Sequence, residues 1–152
     1  MSSAPQSSAG RNDPFTAGNF RVEIDGITST SFSEVRGLET SVDVVDYRAG
    51  DAKTSTEQKL PGLTKFTNIT LKRGLTRDLT FWNWIQTAIN GTVSRRAVGI
   101  ILLDQTDTPV LRWQVRNAWP CKWSGPVLNA GCSDVAIEEL EIAHEGLEMV
   151  AP

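Results

Sequence analysis

His144 is the only histidine in the chain, so any Ser-His-Asp or Cys-His site must be built on it. Glu141 precedes it by three residues and Glu145 follows directly. A Glu-x-x-His pair on a helix offers two ligands to a metal, but a di-metal bundle site needs several such helices. On a strand the two residues of the pair point to opposite faces. No second cluster of metal-ligating residues accompanies them, and His144 reads as a structural histidine near the end of an element. Asp104 and Asp107 resemble the start of a calcium turn, yet the loop lacks further acidic ligands and fits Asx-type turn chemistry better. Gly91 and Gly99 are isolated, so no glycine-rich phosphate loop is present. The five tryptophans mostly occupy apolar-face positions, which suits burial in a core or interface better than base stacking. Cys121 and Cys132 are the only cysteines; they could pair, but two buried free thiols of a cytosolic product fit better. No catalytic residue, metal or cofactor is assigned, and the chain is not expected to be an enzyme.

The elements around these residues explain why chemistry is so thinly spread. A chain of 152 residues makes one domain of ordinary size and can bury a core without metals or disulfides. Its hydrophobic fraction of 39% is lean for a monomer. A net charge of −3 gives no case for binding nucleic acid or an anionic membrane. The longest apolar run, Ala97 to Leu103, is far too short to span a bilayer. Residues 1–14 are small and polar, contain no apolar core of a secretory signal, and read as a flexible arm; residues 15–150 read as one domain.

The organising stretch runs from Lys59 to Trp84. Pro61-Gly62 fits the centre of a type II turn. Thr67, Ile69 and Leu71 alternate with polar residues as in a half-buried strand, which Gly74 breaks. Asp78 is placed to cap a helix whose apolar stripe is Leu79, Trp82, Ile85 and Ile89, with Asn90-Gly91 as its stop. Upstream, Phe20 to Ile24 alternates cleanly, Thr30 to Val35 is a weaker strand, and Ser41 to Arg48 is rich in β-branched residues. Between two such flanks, Ala49 to Gln58 has no apolar residue larger than alanine and predicts a long polar hairpin, an ordered finger. Downstream, Arg95 to Leu103 is apolar on both faces, as in a central strand. In Val110 to Trp119 the apolar residues Leu111, Trp113, Val115 and Trp119 alternate with polar ones. Pro120 to Cys132 reads as irregular. Ser133 to Met149 is ambiguous: its glutamates, Leu and Ala favour a helix, while Val135, Ile137, Leu140 and Ile142 fit a strand with a bulge at Glu138-Glu139. The element count suggests a small barrel or sandwich with one flanking helix.

In order along the chain, Asp13-Pro14-Phe15, Phe20-Arg21-Val22-Glu23-Ile24-Asp25-Gly26 and Phe32-Ser33-Glu34-Val35-Arg36-Gly37-Leu38 resemble contractile phage tail tube proteins of the T4-like family. Leu60-Pro61-Gly62-Leu63, Ile69-Thr70-Leu71-Lys72-Arg73-Gly74, Trp82-x-Trp84 and the run from Ala136 to Leu147 continue the resemblance, which covers Asp13 to Met149. Trp113, Trp119, Trp123 and the two cysteines are not part of that pattern.

The resemblance implies a mainly β fold: a barrel or sandwich of two packed antiparallel sheets with one flanking helix. It also decides Ser133 to Met149 in favour of a strand. It implies six copies in a ring, rings stacked into a hollow tube inside a contractile sheath, and a conduit for cargo or DNA. The implied partners are other copies of the chain, a sheath protein, baseplate and tube-terminating proteins, and luminal cargo, with no membrane span and no sequence-specific nucleic-acid binding. The implied setting is assembly in the bacterial cytoplasm into a virion or an injection-system particle that is released. The expected core is Ile69, Leu71, Trp82, Ile85, Ile101, Trp113, Val115, Ile137 and Leu140. The expected ring-stacking finger is Arg48 to Leu60, with Arg48, Gly50, Asp51, Lys53, Glu57 and Lys59 at its centre. Two alternatives to the shaft subunit are a tube-initiating ring near the baseplate and a monomeric small-ligand barrel; a small enzyme built on His144 is a third.

Overall fold

Two long bent hairpins and one helix make up most of the molecule. The computed structural model describes residues 13–25, 27–29, 32–48, 50 and 57–152. Its elements are β1 (Phe20–Ile24), β2 (Ile27–Ser29), β3 (Phe32–Arg36), β4 (Thr40–Tyr47), β5 (Gln58–Phe66), β6 (Ile69–Gly74), α1 (Thr80–Ile89), β7 (Arg96–Leu103), β8 (Pro109–Ser124), β9 (Ile137–Ala143) and β10 (Gly146–Val150). The chain is mainly β, 54% strand, with two antiparallel sheets, one helix and no closed barrel among the described residues. The flexible arm expected over residues 1–14 falls almost wholly outside the described residues.

The first bent hairpin is β8 with β9 and β10. The first half of β8 pairs with β10, Gly146 opposite Arg116 and Val150 opposite Arg112. Its second half pairs with β9, Trp119 opposite Ala143 and Ser124 opposite Glu139. The corner between the halves is set by Asn117, which takes a positive φ of 51° and accommodates it as asparagine can. Across the corner the Glu145 amide donates to the Arg116 carbonyl at 3.0 Å, and Asn117 Nδ2 donates to Glu145 Oε2 at 2.8 Å. One layer is therefore β2-β1-β7-β8-β10, and the other is β8-β9-β6-β3. Val22, Ile24, Val98, Ile100 and Val115 from the first pack against Ile69, Leu71, Leu140 and Ile142 from the second, and α1 adds Phe81, Trp84 and Ile85.

The second bent hairpin joins β3 to β4 and β5 to β6. Arg36 pairs with Thr70 below the bend and Thr40 with Phe66 above it. Gly37 makes the bend possible: its φ is +94°, and a Cβ there would lie 2.2 Å from the Asn68 carbonyl oxygen. Above the bend, β4 and β5 form a two-stranded sheet of their own that leaves the sandwich.

Several expectations are corrected. Pro61-Gly62 is not a turn but lies inside β5, where Pro61 pairs with Val44 beside a register shift. Both strands of an isolated pair are edges, and a bulge tolerates a residue without an N–H. Gly62 serves close approach instead, since a Cβ would sit 3.0 Å from Val45 Cγ2. Strand β8 does not stop at Trp119 but runs through Pro120, with its irregularity at Cys121. Pro120 is fully buried on the free edge of its layer, where its missing N–H costs no ladder bond. The segment 137–143 is extended, as expected, but carries no bulge: its register with β6 is unbroken from Ile69–Ile142 to Gly74–Ile137. The inward face is Glu138, Leu140 and Ile142, while Val135 is 77% exposed. The apolar stripe chosen for the helix is also corrected. Phe81, Trp84 and Ile85 face the core; Leu79, Trp82 and Ile89 face out. The Trp84 indole N–H donates to the Ser94 carbonyl at 2.7 Å, which ties the helix to the chain entering β7.

Candidate functional site

The residues that could do chemistry are held in structural roles. His144 sits where the two bent hairpins meet. Its Nε2 lies 2.9 Å from the Thr67 carbonyl oxygen at the base of the β4–β5 hairpin, and its Nδ1 lies 3.2 Å from the Gly146 carbonyl. The Phe66 ring packs on it with centroids 5.6 Å apart. Glu141 points elsewhere, toward Asn68 and Cys121. Asp104 closes the β7–β8 turn: its Oδ1 accepts from the amides of Thr106 and Thr108 at 2.8 and 2.9 Å. These bonds, led by the Thr106 hydroxyl, hold its carboxyl below the usual range. Among the described residues no group of three His, Cys, Asp or Glu side chains is placed to hold a metal. No described helix is long and apolar enough to cross a membrane.

Both cysteines are free, and both are exposed rather than buried as expected. Cys121 lies at the irregularity of β8, with its Sγ donating to the Glu141 carbonyl at 3.4 Å. Although the residue is exposed, its sulfur is partly shielded from water, and this desolvation, with the Glu141 carboxylate beside it, pushes its pKa up to about 11.

Surfaces are more informative. The outer face of the β8-β9-β6-β3 layer is polar and self-compensated. Lys72 Nζ stands 3.1 Å from Glu34 and 3.2 Å from Glu139, contacts that hold the ammonium above the usual lysine range. Beside them Arg36, Thr70, Lys122, Ser124 and Glu141 border a shallow cavity of about 70 Å³. The inner face of the same layer carries one charged pair, Arg73 and Glu138, described below.

The β4–β5 hairpin is the outlying feature. It extends about 27 Å from the sandwich at 3.4 Å per residue. One face carries Val42, Val44 and Pro61, the other Val45, Tyr47 and Leu60. All are exposed: Val44 by 63%, Tyr47 by 50%, and Leu63 at the irregularity by 74%. A lone two-stranded ribbon is marginal in water, and exposed apolar residues on both faces mark a contact surface. Of the expected finger residues, Arg48, Gly50, Glu57 and Lys59 are exposed at its outer end, while Asp51 and Lys53 lie outside the described residues. Most of the expected polar finger, residues 49 and 51–56, lies outside the described residues, and the exposed apolar strands behind it were not expected. Their signal was Val42, Val44 and Val45 on a strand with no partner layer.

Of the expected core, Ile69, Leu71, Ile85, Ile101, Val115 and Leu140 are buried, and Trp113 and Ile137 are half-buried. Trp82 is the exception: it is 38% exposed and meets Trp123 edge-on at 5.1 Å outside the core.

Residues 16–148 match the family of the T4-like virus tail tube protein gp19, and the chain belongs to that family. Among curated protein sequences none matches it. It is similar to a chain in the sheath–tube complex of an extracellular contractile injection system, PVC, in the extended state: 28% identity, TM-score 0.84, covering 99% of this chain and 100% of that one. A chain of the sheath/tube terminator of the same kind of system is 28% identical at TM-score 0.82, covering 93% of this chain and 99% of that one. A chain from the tube-terminating cap of the anti-feeding prophage shares the fold at TM-score 0.82 and 23% identity, with 93% of each chain covered.

Proposed function

We propose that this protein is the inner tube subunit of a contractile injection system or phage tail. Six copies close a ring, rings stack into a hollow tube within a contractile sheath, and the tube is a conduit for cargo. The free edges of the two layers are natural pairing surfaces for ring closure. Baseplate and tube-terminating proteins would meet the two ends of the tube. Assembly would take place in the bacterial cytoplasm, before release of the particle. The observation that carries this reading is the β4–β5 hairpin, with Val44 63% and Leu63 74% exposed and no layer among the described residues to cover them. A monomer gains nothing from such an element; a stacked assembly covers it.

The test replaces Gly50 to Glu57 with a short Gly-Ser turn that keeps β4 and β5 in register. The core should fold and rings should close, while electron microscopy should show that tubes are lost. Normal tube length in this variant would remove the stacking role of the finger. Light scattering that shows only a monomer of the unaltered protein at every concentration would overturn the reading as a whole.

A further inference from the structure

A stacking element needs an acceptor, and the register places a candidate. Strands β6 and β9 pair from Ile69–Ile142 at one end to Gly74–Ile137 at the other. The hairpin leaves from the Ile69 end, where the Thr67 amide donates to the Glu39 carbonyl and His144 reaches Thr67. At the opposite end, the Leu75 amide donates to the Ala136 carbonyl. Here the connection between β8 and β9, residues 125–136, forms an exposed apolar surface: Val127 is 94% exposed, Leu128 86% and Val135 77%. Leu75 and Leu79 from the approach to α1 are exposed as well, at 41% and 59%. Two adjoining grooves of about 260 and 350 Å³ share Val127, Asp134 and Val135 as walls. They are roomy enough for side chains as well as water.

We propose that this end is the acceptor for the β4–β5 hairpin of a copy in the next ring, a proposal that rests on the stacked-ring reading above. Three observations converge on a second copy as the occupant. Hairpin and grooves lie at opposite ends of one layer, so identical copies repeated along the strand direction bring them together. Such a contact is heterologous and leaves a fresh hairpin and a fresh acceptor at the two ends of the stack, which is the requirement for open-ended growth. Both surfaces carry exposed apolar side chains that no other described residue covers, so their union removes two exposed patches at once.

The decisive variant is Val127→Ser with Leu128→Ser. Both residues are so exposed that folding should be unaffected. Rings should form as before, and the fraction of protein in tubes should fall at least tenfold. Tubes at the unaltered yield overturn the proposal, and so does loss of rings, which would assign the surface to ring closure. Failure of the unaltered protein to stack at all would overturn the stacking reading itself. Cys132 lies in the wall of the smaller groove and serves as a native reporter. In a Cys121→Ser background, Leu63→Cys and Val44→Cys are tested against it in assembled tubes under mild oxidation. A ladder of covalent multimers that requires Cys132 is expected with at least one of them. Normal tubes without any cross-link overturn the assignment.

Discussion

Arg73 and Glu138 face each other across the β6–β9 pair inside the sandwich, with Arg73 Nε 2.5 Å from Glu138 Oε1. Their side chains are only 5% and 3% exposed. Both residues are further satisfied. Arg73 reaches the Asp78 carboxylate at 3.1 Å and the Asp78 carbonyl at 3.3 Å, and its guanidinium lies 4.0 Å above the Phe81 ring. The second oxygen of Glu138 accepts the Trp123 indole N–H at 3.3 Å. One ion pair thus joins β6, β9, β8 and the start of α1. A buried pair adds little over a well-packed apolar one, but removing one partner strands a charge. Glu138→Ala should therefore cost about 3–5 kcal/mol of unfolding free energy. A double Arg73→Met, Glu138→Leu variant should recover most of that loss. Urea titration of the two variants is the check. Equal destabilisation of single and double would show that the strands need the ion pair itself.

Asp78 ties the same network to pH. Its Oδ1 accepts the Thr80 amide at 3.0 Å and the Thr80 hydroxyl, and Arg73 stands on its other oxygen. The Thr80 hydroxyl, then the Thr80 amide and Arg73, lower its pKa in the folded state. A lowered folded pKa means that the unfolded chain takes up the proton first as pH falls. The stabilisation is thus complete above about pH 4, the usual carboxylate value, and is lost as pH drops through the lower folded value. The melting temperature should fall more steeply below pH 4 in the unaltered protein than in Asp78→Asn. Parallel acid profiles for the two proteins would remove Asp78 from the account.

Much of this fold was legible because alternation and glycine placement are local signals. Strands β1, β4 and β7 and the end of α1 at Asn90-Gly91 followed from them. Three features did not. Glu138 looked like a break in an apolar pattern because its partner, Arg73, is 65 residues away. A charge matched by a distant charge behaves as a core residue, and no window of sequence reveals that. The helix carries apolar residues over a wide arc, so helical spacing fits two stripes that share Ile85. The larger rings, Phe81 and Trp84, took the inside. Pro61-Gly62 has the composition of a turn, but pairing with β4 overrode it. As for the surface, the exposed apolar residues of β4 and β5 and the exposed ends of the sandwich appear only when strand order is known.

The Cys121 thiol should be slow to react. With its pKa pushed up to about 11, little thiolate exists at pH 8. In a Cys132→Ser variant, alkylation by iodoacetamide at that pH should be at least tenfold slower in the folded protein than in urea. Equal rates would mean that the contact with Glu141 does not persist in solution.

His144 joins the base of the β4–β5 hairpin to the corner between β9 and β10 through two carbonyl oxygens, at 2.9 and 3.2 Å. Both partners are carbonyl acceptors and a neutral imidazole carries one N–H, so His144 donates to one of them, a bond worth about 1 kcal/mol. Glutamine is shorter but retains an N–H donor, so it can keep one of the two. His144→Gln should therefore lower unfolding free energy by about 1 kcal/mol or less and leave rings and tubes at normal yield. Urea titration and electron microscopy of the variant are sufficient to decide. Loss of assembly without loss of stability would show that the orientation of the hairpin, and not just its attachment, depends on this ring. Stoichiometric zinc or iron present in the unaltered protein and absent from the variant would give His144 a chemical role in place of a structural one.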